Sequence, residues 1–140
     1  LEQEPYYEEA VRHYLSLLLL VCRRNTVAAT NEPPTAEARL CQNFKSLLEK
    51  NFRTLHQVKD YAQMLNTTPK SLNQALSNLT GTTASTHIFN RLILEAKRLL
   101  RHSTLSIKEI AFFLNYEDPA HFSKFFKGQT GQSPAEFREG

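Results

Sequence analysis

Amide, hydroxyl and ammonium side chains cluster on two stretches of this 140-residue chain, and such groups can hydrogen bond to the edges of nucleic-acid bases. Asparagine and glutamine pair bidentately with adenine, and lysine suits guanine or a phosphate. The same side chains are common on any solvated helix surface, so they indicate a nucleic-acid contact only if the surrounding residues support it. The first stretch offers Lys70, Ser71, Asn73, Gln74, Ser77 and Asn78, and the second offers Ala120, His121, Ser123, Lys124 and Lys127.

The residues around these two stretches form an internal repeat. The segment from Tyr61 to Asn66 recurs 49 residues later, and the segment from Thr68 to Gly81 recurs 50 residues later, so the second copy has one extra residue in its turn. An internal repeat indicates the architecture more strongly than any single residue does. The matched pairs are Tyr61 and Ile110, Ala62 and Ala111, Asn66 and Asn115, Thr68 and Asp118, Pro69 and Pro119, Leu72 and Phe122, Leu76 and Phe126, and Gly81 and Gly131.

Each copy predicts a helix, a tight turn and a second helix. Asn66 and Asn115 tolerate the left-handed backbone conformation in which a helix ends. Thr68 and Asp118 are good N-cap residues, and the proline after each of them suits the first position of a helix. A helix-turn-helix is the shape that places its second helix in the major groove of DNA. We expect the two units at about residues 54–81 and 106–131.

Capping boxes predict where the first helix of each unit and one further helix begin. In this pattern a Ser or Thr side chain bonds to the backbone three residues later, and a Glu or Gln at that position bonds back. The pattern places one helix at Leu55 to Leu65, one after Ser106 and one after Ser133. The pairs are Thr54 with Gln57, Ser106 with Glu109, and Ser133 with Glu136.

The stretch between the two units predicts one long helix at about residues 83–102. Ile88, Leu92 and Leu99 are apolar at helical spacing, with the small Ala96 between them. About eighteen helical residues span roughly 27 Å, and successive major-groove faces on one side of B-DNA lie about 34 Å apart. Together with the width of the flanking helices, this helix can hold two reading helices about one turn of DNA apart.

The first 35 residues predict a helix and a linker. Residues 5–24 have apolar side chains on more than one stripe of a helix, so this helix needs more than one packing partner. One interpretation is packing against a missing domain or against a helix predicted at 36–52. The other is a dimer contact formed by Leu15, Leu18, Leu19 and Cys22. Residues 26–35 have no periodicity and contain Pro33 and Pro34, which indicates a linker.

Composition limits the function classes. The chain has 17 Lys and Arg against 14 Asp and Glu, a net charge of +3, which fits a nucleic-acid partner but is weak evidence alone. Two cysteines without CxxC spacing indicate reduced thiols, and the five histidines show no metal-ligand spacing. No phosphate-binding glycine loop or nucleophile motif indicates an enzyme. We expect no cofactor and no metal. The apolar run at residues 14–22 is too short to span a bilayer. Because reduced thiols are typical of the cytosol, a cytoplasmic location is expected.

The residues from Glu109 to Arg138, EIAFFLNYEDPAHFSKFFKGQTGQSPAEFR, resemble the signature of the AraC/XylS family of bacterial transcription regulators. The segments from Leu94 to Leu100 and from Tyr61 to Gln74 are similar to the same family, and the resemblance covers about residues 44–138. It implies an all-α DNA-binding domain of two helix-turn-helix subdomains joined by a long central helix, here with an extra N-terminal amphipathic helix. The chain departs from the family pattern at Asn66 and Asn115, where glycine is usual.

The resemblance also implies domain boundaries and contact residues. Residues 36–140 would be the DNA-binding domain, and residues 1–25 would be the last helix of a truncated regulatory or dimerisation domain. Ala120 is suited to a thymine methyl group, and backbone N–H groups at helix starts are suited to phosphates. Expected base contacts are Lys70, Asn73, Gln74, Ala120, His121 and Lys124. Expected phosphate contacts are Thr68, Ser71, Ser77, Thr83, Ser123, Lys127 and Ser133.

Two functions from different classes fit these features. The first is a transcription regulator, with activation expected, that inserts two recognition helices into successive major grooves of double-stranded DNA. Its further partners would be RNA polymerase and a second copy of the chain, through the N-terminal helix or the missing domain. The second is a helical interaction or dimerisation module without DNA binding. The presence of hydrogen-bond donors on both reading helices favours the first.

Overall fold

The computed structural model describes the backbone of residues 5–27 and 34–140, and the side chains of residues 10–21 and 34–140. The chain divides into two compact units, residues 1–34 and 35–140. The described elements are all helical, which confirms the expected fold class. They are α1 (Pro5–Val27), α2 (Ala36–Asn51), α3 (Val58–Met64), α4 (Pro69–Thr80), α5 (Ala84–His102), α6 (Ile107–Phe113), α7 (Pro119–Thr130) and α8 (Pro134–Glu139).

Over the described part of residues 1–34 there is one helix, α1, whose described side chains are all exposed. Leu15 has a relative exposure of 54% and Leu19 of 63%, and Leu17, Leu18 and Leu20 are similarly exposed. The side chain of Cys22, which was named as a dimer contact, lies outside the described residues. Over the part of the chain that the structure describes, no helix is long and apolar enough to cross a membrane.

The second compact unit, residues 35–140, has one continuous hydrophobic core, to which both copies of the repeat contribute. In the first copy α3 and α4 pack with α2, and in the second copy α6 packs with α7, and α7 packs with α8. The central helix α5 contacts α4 of the first copy, α6 and α7 of the second copy, and α8. The largest fully buried side chains are Phe44, Tyr61, Leu72, Leu76, Ile88, Leu92, Ile110, Leu114, Phe122 and Phe126.

The two tight turns have the predicted left-handed residue. Asn66 has a φ of 50° and Asn115 a φ of 59°. In each unit the backbone N–H of the next residue reaches back over the helix end: Thr67 N–H donates to the Ala62 carbonyl at 2.9 Å, and Tyr116 N–H donates at 2.9 Å to the matched alanine. This bond satisfies a carbonyl that the ended helix would leave unpaired.

Side-chain caps begin most of the helices, as the sequence predicts. The Thr68 hydroxyl accepts from the backbone N–H of Ser71 at 3.1 Å, and a carboxylate oxygen of Asp118 accepts from Ala120 at 2.8 Å. Both capping boxes in the second copy are present, those that begin at Ser106 and at Ser133. Helices α4 and α7 end at Gly81 and Gly131, which adopt positive φ values of 72° and 80°.

The capping box predicted at Thr54 and Gln57 is wrong. Helix α3 begins only after Gln57, which makes no side-chain cap bond. The Thr54 hydroxyl instead donates to the Asn51 carbonyl at 3.1 Å, which continues the turn at the end of α2. The Tyr61 hydroxyl donates to the Leu55 carbonyl at 2.9 Å. This bond attaches the non-helical segment before α3 to a core residue.

A buried carboxylate on α5 is surrounded by three arginines. Glu95 is only 4% exposed, and Arg98 binds both of its oxygens, at 2.8 and 3.1 Å. Arg53, from the end of α2, adds a bond at 3.3 Å, and Arg91 lies at 3.8 Å while it also binds Glu49 at 2.9 Å. The hydrogen bonds from Arg98, followed by the nearby positive charges, hold the pKa of Glu95 below its ordinary value of 4.5, although burial opposes this. The network ties α2 to α5.

Glu95→Gln should lower the free energy of unfolding by about 1–3 kcal/mol at neutral pH, because the arginines lose their charged acceptor. The pKa of Glu95 is lowered in the folded state, so its stabilising contribution is present above about pH 4.5 and is lost as pH falls through the folded-state pKa. Urea unfolding of both proteins should therefore show a difference that shrinks in acid.

The matched control is Glu117→Gln, which removes an exposed carboxylate from the same unit. This control should change the free energy of unfolding by less than about 0.5 kcal/mol. A Glu95→Gln difference that stays constant from neutral to acid pH would show that the charge of Glu95 contributes nothing to folding.

Candidate nucleic-acid interface

Helix α4 separates a buried face from a polar exposed face. Leu72, Ala75 and Leu76 are buried, and the polar residues that alternate with them point outward. The side chains of Lys70 and Gln74 are exposed and make no hydrogen bond to any other described residue. Their ammonium and amide groups are therefore available to a ligand. The other exposed polar residues of this face are Ser71, Ser77 and Asn78.

Asn73 differs from the other expected base contacts. Its side chain is half-buried, and its Oδ1 accepts a hydrogen bond from the backbone N–H of Ala84 at 2.9 Å. The bond fastens α4 to the first residue of α5. Asn73 thus has a structural role, which leaves only its Nδ2 group for a base. The matched Ser123 is also half-buried, and its hydroxyl donates to the Pro119 carbonyl at 2.9 Å.

Helix α7 presents a sparser face. Phe122 and Phe126 are fully buried, and their ring centroids lie 6.0 Å apart in the core, as the sequence predicts. The exposed face carries Ala120, His121, Lys124 and Lys127. The Nε2 atom of His121 lies 3.9 Å from the Asp118 carboxylate. This face therefore offers two lysines and one histidine, but no amide.

The N-terminal ends of the helices give the two units different electrostatics. In the first unit α4 and α5 are capped by the hydroxyls of Thr68 and Thr83, and neither helix has an acidic residue in its first turn. In the second unit the cap of α7 is the carboxylate of Asp118. Partial positive charge at a helix N-terminus attracts phosphate, and a carboxylate already placed there weakens the attraction.

The start of α8, at Ser133, also has a carboxylate beside it. The backbone N–H of Ser133 donates to the Glu136 carboxylate at 2.7 Å, and its hydroxyl accepts from the Glu136 N–H at 3.3 Å. The backbone bond is the main reason that the pKa of Glu136 is lowered, so the group is a carboxylate at neutral pH. An anion therefore already lies at the start of α8, and Ser133 is a poorer phosphate contact than Thr83.

A histidine that the sequence did not single out supports the loop between α4 and α5. The Nε2 atom of His87 lies 3.0 Å from the Thr80 hydroxyl and 2.9 Å from the Thr82 hydroxyl. Burial lowers the pKa of His87, which keeps the ring neutral at neutral pH. The three side chains hold the end of α4 against the start of α5. A histidine five and seven residues after two threonines is too weak a pattern to reveal this contact.

Most arginines of residues 35–140 make contacts inside the fold. Arg138 donates to the carbonyls of Leu100 and Leu105, at 3.3 and 2.7 Å. The guanidinium of Arg101 lies over the ring of Phe137 at 4.8 Å. These bonds attach α8 to α5 and leave the lysines of α4 and α7 as the cations on the polar faces. No cluster of metal-ligating side chains occurs among the described residues.

Comparison with known sequences gives a consistent result. Residues 61–140 match a family model described as a helix-turn-helix domain. The chain is 31% identical over 123 residues to the HTH-type transcriptional activator RhaS of Escherichia fergusonii, a match that covers 88% of this chain and 43% of RhaS. It is 25% identical over 136 residues to the activator RhaR of Salmonella dublin, covering 97% and 48%. The chain thus spans about half the length of the curated relatives it matches.

Solved structures show the same fold. The C-terminal domain of AraT, a response regulator from Geobacillus stearothermophilus, aligns with a TM-score of 0.68 at 24% identity, covering 75% of this chain and 88% of that one. The DNA-binding domain of AdpA, solved in complex with a target DNA, aligns with a TM-score of 0.62 at 25% identity, covering 71% and 89%. Because the helix-turn-helix model covers more than half of the chain, and these relatives carry the same two-unit fold, the chain belongs to the AraC/XylS family of transcription regulators.

Proposed function

We propose that residues 35–140 are the sequence-specific DNA-binding domain of a transcription activator, with α4 and α7 inserted into successive major grooves. One observation carries this proposal: at repeat-related positions both helices bury their apolar side and expose polar groups, Gln74 on α4 and Lys124 on α7. The relatives RhaS and RhaR are named activators, and the AdpA domain was solved with its target DNA.

The contacts divide into two kinds. Gln74 and Lys70 have free donors on the exposed face of α4, so they read bases, and Lys124 and His121 do so on α7 with Ala120 beside a thymine methyl. Contacts to phosphate fix the position of the protein but carry no sequence information. The phosphate contacts are Thr68, Ser71, Ser77, Thr83 and Lys127, with Ser123 and Ser133 in a lesser role.

The exposed leucines of α1 support a second part of the proposal. A contiguous apolar surface of this kind marks an interface, and we assign it to the end of a regulatory domain through which the whole protein forms homodimers. A dimer would place four reading helices on DNA and gain affinity through linkage. RNA polymerase is the further partner expected of an activator. The whole protein would act in the cytoplasm without catalysing a reaction.

Gln74→Ala should weaken binding to the preferred site by about 1–3 kcal/mol and leave binding to random DNA nearly unchanged, because only a base contact is lost. Lys127→Ala should weaken binding to all DNA alike and lower the salt slope by about 1. The preferred site comes first from selection in a randomised DNA pool, and fluorescence anisotropy then gives both affinities over a range of salt.

Failure of the pool to enrich any sequence would contradict sequence-specific binding. If Gln74→Ala and Lys127→Ala lower specific and random binding by the same factor, the division into base and phosphate contacts is wrong.

Asn73→Ala should lower the free energy of unfolding by about 1 kcal/mol, because the Ala84 N–H at the start of α5 loses its acceptor. Gln74→Ala, one residue later on the exposed face, is the matched control and should change it by less than about 0.5 kcal/mol. Thermal unfolding measures both. Equal stability of the two variants would remove the structural role assigned to Asn73.

Replacing Leu15, Leu18 and Leu19 together with glutamine should abolish self-association of the 140-residue chain, because the polar amides remove the apolar surface while keeping helix propensity. Sedimentation at tens of micromolar should show dimers for the parent chain and monomers for the variant. A fragment that begins at Thr35 should also be monomeric. A parent chain that is itself monomeric at these concentrations would overturn the assignment of α1 as the dimer contact.

A further inference from the structure

The two helix-turn-helix units are joined by a side-chain hydrogen bond as well as by α5. The Nδ2 group of Asn115, in the turn of the second unit, donates to the backbone carbonyl of Thr54 at 3.0 Å. Thr54 lies between α2 and α3, at the start of the first unit, and 61 residues separate the two partners. The bond therefore runs from one unit to the other without passing along the central helix.

Two ring contacts accompany this bond. The ring of His56 lies 5.1 Å from that of Tyr116, and the guanidinium of Arg53 lies 4.7 Å from the Phe113 ring centroid. Arg53 is in turn bonded to the buried Glu95. Residues 53–56 thus contact the turn of the second unit at three neighbouring positions, and we call this set of contacts the clasp.

The clasp attaches the two units to each other directly, in addition to their separate attachments to α5. Helices α6, α7 and α8 all pack on α5, so they fix the second unit relative to α5. The first unit is fixed to α5 by α4, by the Asn73 cap and by the arginines around Glu95. A direct contact between the units adds an attachment point away from α5, and it opposes rotation of one unit relative to the other.

Asn115 can make this contact because of its unusual backbone. Its φ of 59° is in the left-handed region, which glycine enters freely and asparagine enters at small cost. A glycine there would form the same turn but would have no amide to donate. Asn66, at the matched position of the first unit, has a φ of 50°, and its exposed side chain has no hydrogen bond to any other described residue. The two asparagines therefore make the same turn, and only Asn115 joins the units.

We infer that Asn115 is a positioning residue that fixes the separation and angle of the reading helices α4 and α7, and so sets the spacing between half-sites that the protein accepts. The mechanical part of this inference concerns the protein alone. The part about half-site spacing rests on the proposed function.

The test compares Asn115→Gly and Asn115→Asp with the matched control Asn66→Gly. Glycine and aspartate both tolerate the left-handed turn, and neither has a side-chain amide donor. Nitroxide labels at Gln63 and Lys108, exposed positions on α3 and α6, report the distance between the units by pulsed EPR without DNA. Cys22 is replaced by serine in every protein, and Cys41 is buried.

Both Asn115 variants should broaden or shift the inter-label distance distribution, and Asn66→Gly should leave it as in the parent chain. On DNA, sites whose half-site spacing is changed by one base pair should bind less tightly to the parent chain than the selected site does. The Asn115 variants should reduce this preference roughly 2- to 10-fold, the range that one net hydrogen bond supplies.

Distance distributions that are the same in all proteins would overturn the inference, provided that thermal unfolding shows every variant folded. A broadened distribution with an unchanged spacing preference would overturn the specificity role. If the distribution broadens but the parent chain binds no DNA sequence preferentially, the clasp stands and the proposed function fails.

Discussion

The left-handed turn between the two helices of each unit is the constraint on which the other features depend. The two helices of a unit pack closely where a small side chain lies between them, and Ala62 and Ala111 are both fully buried at these positions. The positive φ of Asn66 and Asn115 then reverses the chain so that the next helix starts within a few residues. One side of that second helix necessarily packs on the first, and its other side faces outward. The polar face is thus a product of the turn.

Within this shared frame the two units have diverged in ways that bear on recognition. In the first unit α4 buries aliphatic residues and exposes amides, and the starts of α4 and α5 are capped by hydroxyls. The second buries Phe122 and Phe126 and exposes lysines beside helix ends capped by the carboxylates of Asp118 and Glu136. Amides discriminate between bases, whereas lysines hold phosphates and bases with less discrimination. Under the proposed function, this difference favours base reading by the first unit and partial clamping of the DNA backbone by the second.

The sequence revealed what depends on neighbouring residues and missed what depends on distant ones. The repeat, the two turns, the Ser106 and Ser133 capping boxes and the long α5 were all predictable, because each leaves a local pattern. The capping box predicted at Thr54 is wrong because of a distant residue: the carbonyl of Thr54 binds an asparagine 61 residues away. The network around Glu95 joins residues 42 apart in the same way. Asn73 has the residue type of a base reader, and only the position of Ala84 shows its structural bond.

The distribution of charge explains why geometry matters for this domain. The net charge of +3 does not describe the reading faces, because Arg53, Arg91 and Arg98 lie outside α4 and α7 and are paired with Glu95 or Glu49. Few cations then remain on the reading faces, so release of counterions from DNA can supply only a limited share of affinity. The remainder has to come from hydrogen bonds made by both helices at once, which requires their separation to be set before binding. A protein with many cationic contacts to phosphate could tolerate loosely joined units, whereas one with few such cations gains more from a rigid connection.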